Sequence, residues 1–192
     1  MPTELVLVRH ARSVVPTADG PDELTRPLQE TGLAQARDLV DELLRLDPTA
    51  VASSPYLRAV QTVAPAAGAL GLAVDRRWDL REWDSGLEPT PDYARHHAHS
   101  WANPDHARPG GESLDALTGR VLGALGAVAR EHEGGVVLIG THGTFAARAL
   151  RAAGHPVDWP FLAGMPMPAV YRLRWDGRPT AASGPGLPLD RA

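Results

Sequence analysis

The sequence predicts an α/β protein built on a mainly parallel sheet. Two observations carry that expectation. Short apolar runs rich in β-branched residues alternate with stretches of helical periodicity. The runs are continuous rather than alternating with polar residues, which suits strands buried on both faces.

Taken in order, Leu5–Val8 reads as the first strand. Leu33, Ala36, Leu39, Val40, Leu43 and Leu44 recur at helical spacing, and Asp47-Pro48 stops them. Ala50–Ala52 is the second strand. Ser54-Pro55 then reads as an N-cap followed by proline at the first helical position. That helix runs through Ala59 and Val63, with Pro65 as a kink or break. Leu72–Val74 is the third strand. Ser113 caps a further helix carrying Leu114, Leu117, Val121, Leu125 and Val128, which Gly134-Gly135 ends. Val136–Ile139 is the fourth strand, and a helix from near Thr144 to Gly154 follows. Val170–Leu173 is the last strand, expected at a sheet edge and a place where a homodimer would form.

Two stretches break the alternation. Residues 82–111 are rich in Pro, His and Trp and lack a clean period. A connection of that length is typically functional, so it is expected as an insertion over the active site. Residues 178–192, rich in Pro and Gly, are expected as a loose tail behind a single domain spanning 1–177.

The 192 residues, 43% hydrophobic, suffice for one sizeable core. A net charge of −4 argues against a nucleic-acid partner. The absence of cysteine excludes a disulfide scaffold, a thiolate zinc site and a cysteine nucleophile, and fits a cytoplasmic location. The run Leu5–Val8 is too short for a leader or a membrane span, so no membrane partner is expected.

The chemistry gathers where strands end. Arg9-His10-Ala11-Arg12-Ser13, Ser53-Ser54-Pro55-Tyr56-Leu57-Arg58 and Gly140-Thr141-His142-Gly143 each follow a strand. In a parallel sheet the carboxyl ends of strands share one edge, where ligands bind. Arg9, His10, Arg58 and His142 would converge there as a cationic pocket. Helix N-termini after Ser54 and near Thr144 would add N–H groups. A phosphate or another small oxyanion is the natural guest.

These segments resemble the histidine phosphatase superfamily, the phosphoglycerate-mutase-like group. Arg9-His10-Ala11 is similar to its opening motif, and Leu24-Thr25, Gly32 and Gln35-Ala36 to the next. Ser53-Ser54-Pro55, Arg58-Ala59 and Gln61-Thr62 follow in family order. So do Leu80-Arg81-Glu82, Gly110 to Ser113 and His142-Gly143. The resemblance implies a three-layer sandwich with a mostly parallel central sheet flanked by helices. It implies a phosphomonoesterase of the histidine acid phosphatase type, acting without metal or other cofactor. His10 would attack phosphorus, and Arg9, Arg58, His142 and Gly143 would hold the phosphoryl group. Glu82 would protonate the leaving alkoxide and later help activate water. The partners implied are a small phosphorylated substrate and inorganic phosphate as product.

The chemistry explains these residue types. An imidazole attacks only when neutral, and neighbouring cations disfavour its protonation. Fixed cations also stabilise the charge on the equatorial oxygens during phosphoryl transfer. The pattern has departures. Arg12 stands where many relatives carry Glu or Gln, and Pro16 where many carry an Asn that contacts phosphate. Loss of one such donor is a rate effect, worth roughly 3 kcal/mol. Arg12 sits at the pocket mouth, meeting an acidic substrate group, or is a solvated surface residue. Ser13 and Trp83 are further candidates for contact with substrate. His96, His97, His99 and His106 lack ordered ligand spacing, so a loop facing solvent or substrate is favoured over a metal site. A phosphoglycerate mutase, a protein-phosphohistidine phosphatase and a catalytically weak phosphate-binding interaction protein are the competing readings.

Overall fold

In the computed structural model, which describes residues 1–188, the apolar runs form the middle of one six-stranded sheet. Its strands are β1 (Thr3–Arg9), β2 (Ala50–Ser53), β3 (Val74–Arg76), β4 (Val136–Thr141), β5 (Ala169–Trp175) and β6 (Pro179–Ser183). They lie in the order β3-β2-β4-β1-β5-β6. The first four are parallel, and β5 and β6 add an antiparallel hairpin. The helices are α1 (Glu30–Asp38), α2 (Val40–Leu44), α3 (Leu57–Leu70), α4 (Tyr93–Ala102), α5 (Leu114–Glu131), α6 (Gly143–Ala152) and α7 (Trp159–Gly164).

The continuous runs are explained by two apolar layers. Leu5, Leu7, Val137 and Ile139 belong to the layer under α5, α6 and α7. Val6, Val8 and Leu138 alternate with them and pack with Val51, Val63 and Leu43 under α2 and α3. With helices on both faces, the fold is the expected three-layer α/β sandwich. Each such side chain contributes about 1.5–3 kcal/mol by leaving water. No helix among the described residues is long and apolar enough to cross a membrane.

Several boundaries differ from the sequence expectation. The third strand begins at Val74 rather than Leu72. Gly71, at φ 68°, ends α3 in the left-handed conformation, and the Leu72 N–H bonds back to the Ala67 carbonyl at 2.9 Å. Leu72 is thereby consumed by the helix terminus. Pro65 stays inside α3 without ending it. That helix starts at Leu57, after an extended Tyr56, and the Ser54 hydroxyl accepts the Tyr56 N–H at 3.2 Å. The run around Leu39 divides into α1 and α2, although hydrogen bonding continues from Leu39 N–H to Gln35 and from Leu43 N–H to Leu39. The region expected without periodicity contains α4.

The tail is also corrected. Asp176-Gly177, with Gly177 at φ 66°, turns the chain back, and Pro179–Ser183 pairs with β5. Asp-Gly is a strong hairpin signal, and proline is tolerated at the start of an edge strand. Residues 179–183 are therefore not loose, and residues 189–192 lie outside the described residues. For the same reason β5 is not an edge; β6 is. The expected dimer contact along Val170–Leu173 loses its basis.

Candidate active site

Register brings the three strand ends to one level. Arg9 lies opposite Thr141 in the β1–β4 pair, and Ser53 opposite Gly140 in the β2–β4 pair. The next residues, His10, Ser54 and His142, therefore emerge together at the carboxyl edge of the sheet. The His10 N–H bonds to the Thr141 carbonyl at 3.0 Å, which ties the first loop to β4.

His10 is buried, and its Nδ1 lies 2.8 Å from the Ala11 carbonyl. A carbonyl only accepts, so Nδ1 carries the hydrogen and Nε2 keeps its lone pair. The Arg58 Nε donates toward that Nε2 at 3.3 Å. Burial, reinforced by the charge of Arg58, pushes the His10 pKa down to about 3, against the opposing pull of the Ala11 hydrogen bond. The ring is neutral near pH 7, as a nucleophile must be.

His142 packs edge-on to His10, with ring centroids 5.3 Å apart. Its Nε2 lies 2.8 Å from the Ser54 hydroxyl, and its buried Nδ1 has no protein partner. Ser54 already accepts the Tyr56 N–H, so its own hydrogen is free to donate to Nε2; we assign the His142 hydrogen to Nδ1. Complete burial holds the His142 pKa well below the usual imidazole range. Arg9 donates through Nη1 to the Met165 carbonyl at 2.5 Å, while its buried Nε is unpartnered. Gly143 makes room for it. A Cβ there would stand 3.1 Å from the Arg9 Nε and 3.0 Å from Leu162.

Glu82 follows the 3-10 turn Trp78–Leu80. Its carboxyl accepts the N–H groups of Trp83 at 2.8 Å and of Thr144 and Phe145 at 3.1 Å. The last two open α6, so the carboxylate sits at a helix N-terminus, where negative charge is favoured. The arrangement thus pairs a neutral imidazole lone pair with buried, unpartnered polar nitrogens and a carboxyl group.

The model of the histidine phosphatase superfamily, branch 1, matches residues 5–183. The chain belongs to that superfamily. An Arabidopsis thaliana protein described as a metal-independent phosphoserine phosphatase is 33% identical over 154 residues, 73% of this chain and 64% of the relative. The chain thus spans just under two thirds of that relative's length. Phosphoserine phosphatase 1 of Hydrogenobacter thermophilus is 32% identical over 168 residues, 81% of this chain and 77% of the relative. The native structure of a mycobacterial glucosyl-3-phosphoglycerate phosphatase matches with a TM-score of 0.70 at 25% identity, covering 88% of this chain and 89% of that one.

In this histidine phosphatase superfamily member, much of the motif set builds the pocket rather than lining it. Thr62 takes the Ala11 N–H at 3.0 Å, Gln61 takes the Leu28 N–H at 2.8 Å, and Gln35 takes the Arg12 N–H at 3.1 Å. Gly32 is needed because a Cβ would stand 2.0 Å from the Arg12 carbonyl oxygen. Glu112 pairs with Arg120, which in turn holds the carbonyls of Asp79, Arg81 and Glu82. Ser113 caps α5 through the Ala116 N–H at 3.0 Å.

The three substrate-contact candidates separate. Ser13 half-buries its hydroxyl against Arg26 at 2.8 Å. Arg12 is exposed, and only its backbone enters the loop's hydrogen bonding. Trp83 is buried, donating its indole N–H to the Glu112 carbonyl at 2.8 Å, so it anchors the segment after Glu82. The histidine cluster divides: His99 and His106 stay edge-on to each other, with ring centroids 6.0 Å apart. His97 turns inward among Trp83, Tyr93 and Trp159. Among the described residues no three His, Asp or Glu side chains gather to hold a metal ion. Two shallow grooves against β5 and β6, around Arg172 and Ser183, touch none of the catalytic candidates.

Sequence reasoning missed Arg26 and Glu23. Arg26 is buried, and its charge bears on both His10 and His142. Glu23 pairs with Arg26 and Arg58. Burial raises its pKa, but hydrogen bonding to Arg26 and the charge of Arg58 outweigh that, and the net shift is downward. The only sequence signal was a Glu–Arg pair three residues apart in a loop, which is common on surfaces.

Proposed function

We propose that the chain is a metal-independent phosphomonoester hydrolase acting through a phosphohistidine on a small phosphorylated metabolite. One observation carries this reading. The neutral His10 presents its Nε2 to Arg58 at 3.3 Å and lies edge-on to His142, and the buried Arg9 Nε and His142 Nδ1 have no protein partner. Buried donors left without protein partners beside a neutral imidazole suit the equatorial oxygens of a phosphoryl group. The relatives described as phosphoserine phosphatases support the same chemistry and make phosphoserine the first substrate to test.

In the first step His10 Nε2 attacks phosphorus, the ester P–O bond breaks, and Glu82 gives its proton to the leaving oxygen. The Ala11 carbonyl steadies the resulting imidazolium through Nδ1–H. In the second step water attacks phosphorus, gives its proton to Glu82, and the N–P bond breaks to release phosphate. The three N–H groups on Glu82 suit the carboxylate that the second step requires.

The test is turnover of p-nitrophenyl phosphate, phosphoserine and a sugar-phosphate panel in EDTA, by wild type and His10→Ala. The expected result is metal-free turnover that drops by about a thousandfold or more in the variant, as for loss of a nucleophile acting in concert with its neighbours. Turnover that requires an added metal ion, or that survives His10→Ala, would sink the proposal.

A further inference from the structure

The carboxylate of Glu23 occupies an unusual place for a group of its charge. Its Oε2 lies 2.7 Å from Arg58 Nη2, and its two oxygens each accept from Arg26 at 3.0 Å. Its backbone carbonyl takes the Arg58 Nη1 at 2.8 Å. Arg58 and Arg26 are nearly fully buried, at 2% and 9% side-chain exposure, whereas Glu23 is 50% exposed. The carboxylate therefore lies on the solvent side of Arg58, whose Nε reaches His10 at 3.3 Å, and of Arg26, whose Nη1 is held by Ser13 and the Val14 carbonyl.

The loop is built to present it there. Asp22 accepts both the N–H and the hydroxyl of Thr25, at 2.8 and 2.6 Å. The Arg26 N–H closes the turn on the Asp22 carbonyl, and the Leu57 N–H fastens Leu24 to the start of α3, both at 2.9 Å. Around His10 stand three guanidiniums (Arg9, Arg26 and Arg58) and one carboxylate, that of Glu23, with both imidazoles neutral and Glu82 carrying the proton that the first step requires. A phosphomonoester dianion thus meets a site one charge less positive than its arginines alone would make it.

We propose that Glu23 is a positioning residue that serves as the pocket's built-in counter-ion. It holds Arg58 and Arg26 in place before substrate arrives, and its charge keeps the grip on inorganic phosphate weak enough for release. The inference rests on the phosphate-pocket reading above. An ion pair that only bound the loop together would make phosphate affinity fall on its removal. A counter-ion makes affinity rise, because the anion no longer competes with a resident negative charge.

The experiment is calorimetric titration of inorganic phosphate into wild type, Glu23→Gln, Glu23→Ala and Glu23→Asp, with phosphate inhibition of turnover measured beside it. Glutamine keeps the shape and loses the charge; aspartate keeps the charge and shortens the reach. The expected result is phosphate binding about tenfold tighter in the Gln and Ala variants, within about twofold of wild type in the Asp variant, and KM and kcat falling together in the Gln variant as release slows. Phosphate binding that is unchanged or weaker in both charge-removing variants overturns the proposal, as does an Asp variant that behaves like the Gln variant. A wild type that binds no phosphate overturns the pocket reading itself. If one charge-removing variant does not fold, the other reads the same sign.

Discussion

His10, His97 and His142 are imidazoles held uncharged by burial, with the pKa of His10 pushed to about 3, that of His97 to about 4 and that of His142 well below its ordinary value. In the unfolded chain each protonates near the usual value of about 6.5. Between that pH and about 4 the unfolded state binds more protons, so folding stability falls as pH falls. The expected loss is about 1.4 kcal/mol per pH unit for each imidazole, read from urea unfolding at pH 7.5, 6 and 5. A midpoint that stays flat over that range would mean the rings ionise inside the fold. Glu82→Gln is expected to slow alkyl phosphates far more than p-nitrophenyl phosphate, whose leaving group needs little protonation. Equal losses on both would remove Glu82 from the acid role. His10, Arg58 and His142 were expected to converge because each follows a strand, whereas Glu82 was singled out only through the resemblance to the histidine phosphatase motifs. Arg26 and Glu23 were not legible, because a polar loop has no period and their partners lie 35 and 13 residues away.

At the scale of elements, the helix starts and strand middles were legible, and the places where one element borrows residues from another were not. Leu72 reads as strand yet serves the end of α3, and α4 was hidden because its aromatic and imidazole side chains face Trp83 and Trp159 rather than a simple apolar stripe. The best-supported cap is Ser113, which accepts the Ala116 N–H ahead of the 18-residue α5. Ser113→Ala is expected to cost about 1 kcal/mol, visible as a lower urea midpoint at constant slope. No shift in the midpoint would mean that solvent replaces the hydroxyl there at no loss.

For the whole molecule, the order β3-β2-β4-β1-β5-β6 places the strands that lead into His10, Ser54 and His142 inside the sheet and leaves a short β6 outermost. A short edge strand that opens with proline is poorly suited to pairing with another chain. Deleting residues 179–192 would expose the longer β5 as an edge, so greater light scattering is expected at equal concentration. Scattering equal to that of the full chain would show that β6 does not guard the sheet. The central parallel strands were legible as continuous apolar runs. The second strand of the hairpin, β6, was overlooked because its short, partly polar run lies in a stretch dominated by Pro and Gly.

Arg9 takes its support from Met165, just past α7, rather than from its own strand. Behind α7, the Tyr171 hydroxyl donates to the Pro185 carbonyl at 3.2 Å, Gly186 lies against the Phe161 ring, and Leu187 packs on the core. A purification handle or reporter joined close behind Leu187 would therefore lean on the strut beneath Arg9. One joined ahead of Thr3 would sit at the opposite pole of β1 from His10, next to Glu133. For anyone preparing the protein, the amino side is the place to attach it.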